Sequence, residues 1–191
     1  FVLPSALSIT LRCSYGIVFH SAEMRRIYKC RAVPIESGNS THIVGYTGVH
    51  MFGLTSLDIE VLSFRNCINL QTIPRGALDF FPNLTGLEFS SCGILQLSSD
   101  QLRGYPKLTW LSIEFSALES IPGNFFEYTP NLGGVSFGSN QIKSVGANLL
   151  SNLPRLHRVY FLYNPCISMS AMNEEEVSLL IDALRINCPE N

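Results

Sequence analysis

Apolar residues recur along most of the chain every 24 residues, and within each unit they alternate with polar residues over short stretches. The alternation, as in Leu87-Glu88-Phe89, predicts short β-strands with one buried face. Such a strand cannot bury that face alone, so the units are expected to stack into a parallel sheet at about 4.8 Å per strand. The columns that share the period are Pro82, Pro106, Pro130 and Pro154; Leu84, Leu108, Leu132 and Leu156; Leu87, Leu111, Val135 and Val159; Phe89, Ile113, Phe137 and Phe161; Ile73, Leu97, Ile121 and Val145; and Leu78, Leu102, Phe126 and Leu150.

A small or polar residue ends each predicted strand. Asn140 and Asn164 occupy this column in the last units, where their amides can bond backbone groups that the turn leaves unpaired. Cys67, Cys92 and Ser116 occupy it in the earlier units. Proline and polar residues in the second half of each unit disfavour a long helix, so turns or short 3₁₀ segments are expected there.

The pattern L-x-x-L-x-F-x-x-N/C, from about residue 56 to residue 166, resembles the 24-residue extracellular class of leucine-rich repeat proteins. The resemblance implies a leucine-rich repeat solenoid of the α/β horseshoe class with about five or six repeats. A parallel β-sheet would line the concave face, with turns or 3₁₀ segments on the convex side. Because the ends of a solenoid must be covered, we expect an N-terminal β cap with an entry strand (1–55), the repeats (56–165) and a C-terminal helical cap (166–191), all in one structural domain.

Each predicted cap contains one pair of cysteines. Strands near residues 9–13 and 26–33 predict a Cys13–Cys30 disulfide, and a strand near residues 43–46 is expected to lead into the repeats. At the other end a helix is expected to start at Asn173, because Glu176 follows as in a capping box. Cys188 continues the apolar face of that helix and is expected to pair with Cys166. The residues of this face are Val177, Leu180, Ile181 and Leu184.

The cysteines and two N-glycosylation acceptor sequences, at Asn39 and Asn83, favour a secreted, extracellular protein. Cys67 and Cys92 occupy equivalent positions in adjacent units. Two alternatives remain open for them, a third disulfide or a pair of buried thiols, and their parallel side chains favour the thiols.

The caps, each with one cysteine pair, and the phrases at residues 45–50 (GYTGVH) and 163–166 (YNPC) resemble mosquito leucine-rich repeat immune proteins. The resemblance implies a role in innate immunity, by binding and stabilising complement-like thioester proteins in haemolymph. Better-known members add a cysteine-rich coiled-coil tail, and no such heptad pattern follows here. A truncated chain and a short member without the tail both remain open, and disulfide-linked pairing with another leucine-rich repeat chain is in doubt.

Charge and hydropathy exclude several classes of protein. Only 15% of residues are charged and the net charge is −2, which excludes a nucleic-acid-binding protein built on a basic patch. No apolar run reaches 18 residues, so no membrane span is expected, and any signal peptide is expected to have been removed already. With few charges, Ser, Gly, Asn and aromatic residues hold many outward positions, which favours a protein that binds another protein.

The outward strand positions form the predicted concave face, and we expect a protein partner there: a thioester-containing immune protein or another leucine-rich repeat chain. Trp110, Arg158 and Tyr160 are residue types common at binding hot spots, and Phe115 and Tyr163 extend the patch at the strand exit. The alternative is that these side chains pack on each other and bind nothing. The predicted contact residues are Arg65, Glu88, Trp110, Glu114, Arg158, Tyr160 and Leu162.

No nucleophile, phosphate-loop, paired-carboxylate or metal-ligand motif occurs, so no catalytic residue, cofactor or metal is expected. The leading hypothesis is a secreted, non-enzymatic recognition protein of innate immunity. The alternative is a receptor ectodomain or an extracellular adhesion or ligand-binding module.

Overall fold

The computed structural model describes residues 8–20, 23–35 and 41–190. The predicted acceptor Asn39 lies outside these residues. The strands are β1 (Ser8–His20), β2 (Arg25–Pro34), β3 (His42–Thr47), β4 (Val61–Arg65), β5 (Gly86–Ser90), β6 (Trp110–Glu114), β7 (Ser120–Ile121), β8 (Gly134–Ser136), β9 (Ser144–Val145), β10 (Arg158–Tyr160) and β11 (Ser170–Ala171). The helix α1 spans Glu174–Asn187, and short 3₁₀ turns occupy Ser56–Asp58, Ala77–Asp79 and Ser99–Gln101.

The described strands form one large sheet in the order β11-β10-β8-β6-β5-β4-β2-β1-β3. From β4 to β10 the strands are parallel and in register by repeat, as where Leu87 faces Leu62 on one side and Leu111 on the other. The stacking that the 24-residue period predicts is therefore confirmed. The strands β7 and β9 form a separate two-stranded parallel sheet in the second halves of their units.

The core consists of the periodic apolar columns. Phe64 and Phe89 stack with ring centroids 5.0 Å apart, and Phe137 and Phe161 continue this column at 5.4 Å. All four rings are fully buried. Because each repeat adds one layer of such side chains, burial is continuous along the solenoid.

Asparagine amides satisfy buried backbone groups at the strand exits, as expected. The Asn140 side chain donates to the carbonyl oxygens of Ile113 (2.8 Å) and Phe137 (3.0 Å), and it accepts from the Ser116 N–H at 3.2 Å. One unit later, the Asn164 side chain donates to the carbonyl oxygens of Phe137 and Phe161 and accepts from the Ile142 N–H. Each amide thus joins two neighbouring repeats.

The N-terminal cap differs from its prediction in two respects. The β1–β2 hairpin extends past the predicted strands, with pairing from Leu11–Pro34 to His20–Arg25, and the Cys13–Cys30 disulfide links its strands. The strand β3 does not lead into the repeats, because β2 pairs with β4 and β3 lies on the far side of β1. The β1–β2 hairpin therefore lies between β3 and the repeats.

At the C-terminal end, α1 covers the last repeat with Val177, Leu180 and Leu184, and a disulfide joins Cys166 to Cys188. The Asn173 side chain caps the helix by accepting from the Glu176 N–H at 2.9 Å. The sequence did not predict β11, a short strand that pairs antiparallel with β10. Within the described part of the chain, no helix is long and apolar enough to cross a membrane.

Candidate functional site

The N-terminal hairpin covers part of the concave face. Lys29 and His20 lie on its concave side, and both approach Glu88 of β5. The Lys29 ammonium donates to one Glu88 oxygen, and His20 Nε2 lies 3.4 Å from the other. The side chains of Lys29 and Glu88 are only 9% and 17% exposed. Glu88 therefore holds the cap against the repeats.

The pKa of Glu88 reflects this enclosure. Burial opposes ionisation of the carboxyl, but hydrogen bonds from His20 and Lys29, together with the charge of Lys29, outweigh burial and lower the pKa of Glu88 to about 2. A carboxylate held in this way is already neutralised by its neighbours. Glu88 therefore contacts the N-terminal cap on the concave face, and its predicted contact with a partner stays a prediction.

Trp110 is also covered, with only 9% of the residue exposed. His20 meets its indole edge-on at 5.5 Å between ring centroids, and Tyr160 lies on the other side at 6.2 Å. The indole lies across Gly134, where there is no side chain to displace it. The alternating pattern places Trp110 on the concave face correctly, but the hairpin and its neighbours remove it as an exposed hot spot.

Further contacts hold the end of the hairpin that contains the β1–β2 turn. They join it to residues that directly precede the repeat strands β4 and β6. The Thr109 hydroxyl donates to Glu23 at 2.9 Å, and the Arg25 guanidinium pairs with both Glu23 and Glu60. A cavity of about 460 Å³ remains between this turn and the later repeats. Its lining includes Glu23, Arg25, Thr109, Trp110, Gly134 and His157.

The strand exits form the open part of the concave surface. In every repeat, the residue five positions after the first residue of the strand has a positive φ, from 51° to 58°. These exit residues are Asn66, Ser91, Phe115, Ser139 and Tyr163. Asparagine tolerates this left-handed conformation, whereas bulky side chains adopt it rarely. Phe115 and Tyr163 nevertheless occupy it, with 59% and 76% of their surfaces exposed.

Phe115 and Tyr163 stand on either side of a cleft of about 360 Å³. The smaller residues Ser136, Gly138 and Ser139 lie between them, because β8 lies between β6 and β10. The carboxylate of Glu114 accepts a hydrogen bond from the Ser136 hydroxyl beside the cleft. We call this site the exit cleft; its lining is Trp110, Glu114, Phe115, Ser136, Gly138, Ser139, Tyr160, Leu162 and Tyr163.

The structure brings together four of the predicted contact residues and separates the others. Trp110, Glu114, Tyr160 and Leu162 line the exit cleft. Arg65 is exposed on β4, with β5, β6 and β8 between it and β10. Arg158 is partly buried at the start of β10. The concave face is therefore divided into a covered N-terminal part and an open exit cleft.

The remaining sequence candidates lie elsewhere. Cys67 and Cys92 are free, buried thiols, which agrees with the favoured alternative. Asn83 is exposed in a turn and donates to the Leu57 carbonyl oxygen at 2.8 Å. Within the described ranges, no group of three or more His, Cys, Asp or Glu residues could hold a metal ion.

The fold is a leucine-rich repeat solenoid, defined by its stacked parallel strands, by the turns that follow them and by its two covered ends. The open part of its concave face is the exit cleft, with its exposed aromatic residues. Two solved structures resemble the fold. A chain of the Drosophila Toll–Spatzle complex is 16% identical, with a TM-score of 0.48, over 65% of this chain and 19% of its own length. An internalin from Listeria monocytogenes is 20% identical, with a TM-score of 0.41, over 64% of this chain and 40% of its own length.

The chain thus spans less than half the length of either of these two proteins. No protein-family model matches the sequence, and no curated protein matches it significantly.

Proposed function

We propose that this protein is an extracellular, non-enzymatic recognition module that binds a protein partner through the exit cleft. The observation that supports the proposal is the placement of Phe115 and Tyr163. Both residues adopt a left-handed backbone conformation that is unfavourable for bulky side chains, and both are mostly exposed. The equivalent positions of other repeats hold Ser or Asn, so the fold itself does not require an aromatic residue there. Backbone strain of this kind is typical of residues that serve in binding.

The chemistry of the exit cleft indicates the kind of contact it makes. The rings of Phe115 and Tyr163 offer apolar walls, and Gly138 between them leaves room for one inserted side chain. Glu114 adds a negative charge at the same site. The proposed partner therefore inserts an apolar or aromatic side chain next to a basic residue, the combination that forms interface hot spots.

The disulfides in both caps support a secreted location, because such bonds persist in oxidising compartments. The exposed Asn83 is a proposed glycosylation site there. The proposed role in innate immunity rests on the resemblance of the flanking sequence phrases to mosquito immune proteins. On that basis the proposed partner is a thioester-containing immune protein.

The test measures the affinity of the immobilised full chain for a purified thioester-containing protein from insect haemolymph. The test variant carries both Phe115→Ser and Tyr163→Ser. Serine already occupies the equivalent position of two other repeats, at Ser91 and Ser139, so the fold accepts it there. We expect the variant to bind at least about tenfold more weakly. Ile186→Ser is the matched control, because Ile186 is 77% exposed on α1, and its affinity should equal that of the wild type.

The outcomes separate the partner from the site. Absence of binding by the wild-type chain would reject the thioester protein as the partner. Unchanged affinity in the double variant, or an equal loss in Ile186→Ser, would reject the exit cleft as the contact surface.

A further inference from the structure

A second surface, distant from the exit cleft in the fold, lies on the outer side of the N-terminal hairpin. The strand β3 pairs with β1 only from Ser8 to Arg12. From Cys13 to His20, β1 pairs with β2 on one side, and no strand of the described ranges pairs with its other side. Gly48, just after β3, still lies against the Cys13 carbonyl oxygen, so the open edge of the large sheet runs from Ser14 to His20.

The backbone groups on this edge belong to the odd-numbered residues. The Thr10 carbonyl oxygen accepts from the Ile35 N–H next to β2, whereas the Leu11 carbonyl oxygen faces Thr47 of β3. Backbone groups alternate between the two sides of an antiparallel strand. The N–H and C=O groups of Tyr15, Ile17 and Phe19 therefore point away from β2, toward the open edge.

The side chains of the edge are apolar and exposed. Ile17 and Phe19 are 50% and 62% exposed, although they lie on the same hairpin face as Tyr15 and Tyr28. Residues 14–20 contain no Asp, Glu, Lys, Arg or Pro. Charged residues and proline are the usual devices that prevent a sheet edge from pairing with another chain.

The two terminal strands of the sheet are protected in other ways. The strand β11 is only two residues long and lies against α1. The start of β3 is bound to the segment around Arg75, whose carbonyl oxygen accepts from the Ile43 N–H at 2.9 Å. The open edge of β1 is thus long, uncharged and apolar, unlike β11 and the start of β3.

We propose that the open edge of β1 pairs antiparallel with the same edge of a second copy of this chain. A two-fold axis at Ile17 places Ile17 opposite its own counterpart and Tyr15 opposite Phe19 of the second copy. These odd-numbered residues all present backbone groups to the edge, so each pair exchanges both N–H···O bonds. Tyr15 also stacks on His50 at 4.1 Å, so Phe19 of the second copy meets an aromatic surface already formed.

The absence of charge along residues 14–20 suits a second copy as the occupant. In a two-fold pair a charged residue near the axis meets its own copy, and like charges directly opposite each other destabilise a sheet. Residues 14–20 avoid this repulsion completely. A basic strand from another protein would find no acidic residue among residues 14–20 and would meet the exposed Arg26 beside Phe19.

The test is sedimentation velocity of the full chain from about 1 to about 100 µM, the range in which a small interface associates. The wild type should form dimers as its concentration rises. Ile17→Lys places two like charges at the axis and should weaken dimerisation at least about tenfold. The control Val44→Lys changes a residue of the same exposure, 52%, on β3, and should dimerise like the wild type.

A cross-linking variant tests the register. Paired residues of this type lie about 5.5 Å apart at Cα, within the range of a disulfide. Ile17→Cys should therefore give a covalent dimer on mild oxidation, and Val44→Cys should not. A wild type that stays monomeric, dimerisation unaffected by Ile17→Lys, or equal cross-linking of both cysteine variants would overturn the proposal. Circular dichroism confirms that each variant is folded, and dimerisation should be unaffected by Phe115→Ser and Tyr163→Ser.

Discussion

Trp110 lies against the α-carbon of Gly134 on the neighbouring strand, so a methyl group at Gly134 would approach indole atoms Cε3 and Cζ3 to 2.5 Å. We expect Gly134→Ala to push the indole out of its place between His20 and Tyr160. Overpacking of this kind lowers the free energy of unfolding by about 1–3 kcal/mol. Because Trp110 is the sole tryptophan, a red shift of the fluorescence emission reports its exposure directly.

Gly138→Ala is the matched control for this prediction. A methyl group there would meet only the Leu162 carbonyl oxygen, at an ordinary 3.5 Å. Urea unfolding and the emission maximum should therefore stay close to those of the wild type. If Gly134→Ala behaved in the same way, the covered position of Trp110 would be contradicted.

Glu88→Gln should destabilise the protein, because it leaves the buried Lys29 without its counter-charge. Removing one partner of a buried ion pair costs about 3–5 kcal/mol. Glu119→Gln provides the comparison, since Glu119 and Lys143 form an ion pair in which both side chains are more than half exposed. Its effect should be at most about 1 kcal/mol in the same urea titration.

The lowered pKa of Glu88 also predicts how stability depends on pH. The group has an ordinary pKa of 4.5 and a folded-state pKa of about 2, so the folded protein binds fewer protons in this range than the unfolded chain. The contribution is complete above about pH 5 and is lost as the pH falls toward 2, by about 3 kcal/mol. Wild-type stability should fall more steeply than that of Glu88→Gln over this window. Parallel curves for the two proteins would contradict the role assigned to Glu88.

Phe115→Asn and Tyr163→Asn should each stabilise the protein. Asparagine accepts the left-handed conformation of this column, as Asn66 does, and the substitution relieves strain of about 1 kcal/mol. Thermal and urea unfolding measure the gain. The reverse change, Ser139→Phe, should lower stability by a similar amount. Destabilisation by Phe115→Asn would mean that the ring supports the fold rather than a binding surface.

These sites show which features a sequence can predict. The columns built on Leu87, Phe89 and Asn140 were predictable, because every repeat imposes the same burial and hydrogen bonds on them. The alternation also placed Trp110 and Glu88 on the concave side. It could not predict their enclosure, because that depends on where the non-periodic hairpin directs His20 and Lys29.

The position of β3 was missed for the same physical reason. Its sequence predicts a strand, but a strand pattern does not specify which neighbour it pairs with. Long-range pairing of β2 with β4 decided the order of the N-terminal strands. The exit cleft was partly predictable, since Phe115 and Tyr163 are aromatic exceptions in a column that otherwise holds small or polar residues.

Cys67 and Cys92 give the last prediction, which concerns thiol reactivity. The two residues are 8% and 4% exposed, and the hydrogen bond that the Cys67 thiol donates to Cys92, together with burial, raises the pKa of Cys67. The same hydrogen bond lowers the pKa of Cys92, so the protection of this thiol comes from its burial. Because both thiols are buried, labelling of the native protein should be slow. Denatured, unreduced protein should release two reactive thiols per chain, and Cys67→Ala should release one. No reactive thiol in the denatured wild type would instead establish a third disulfide between adjacent repeats.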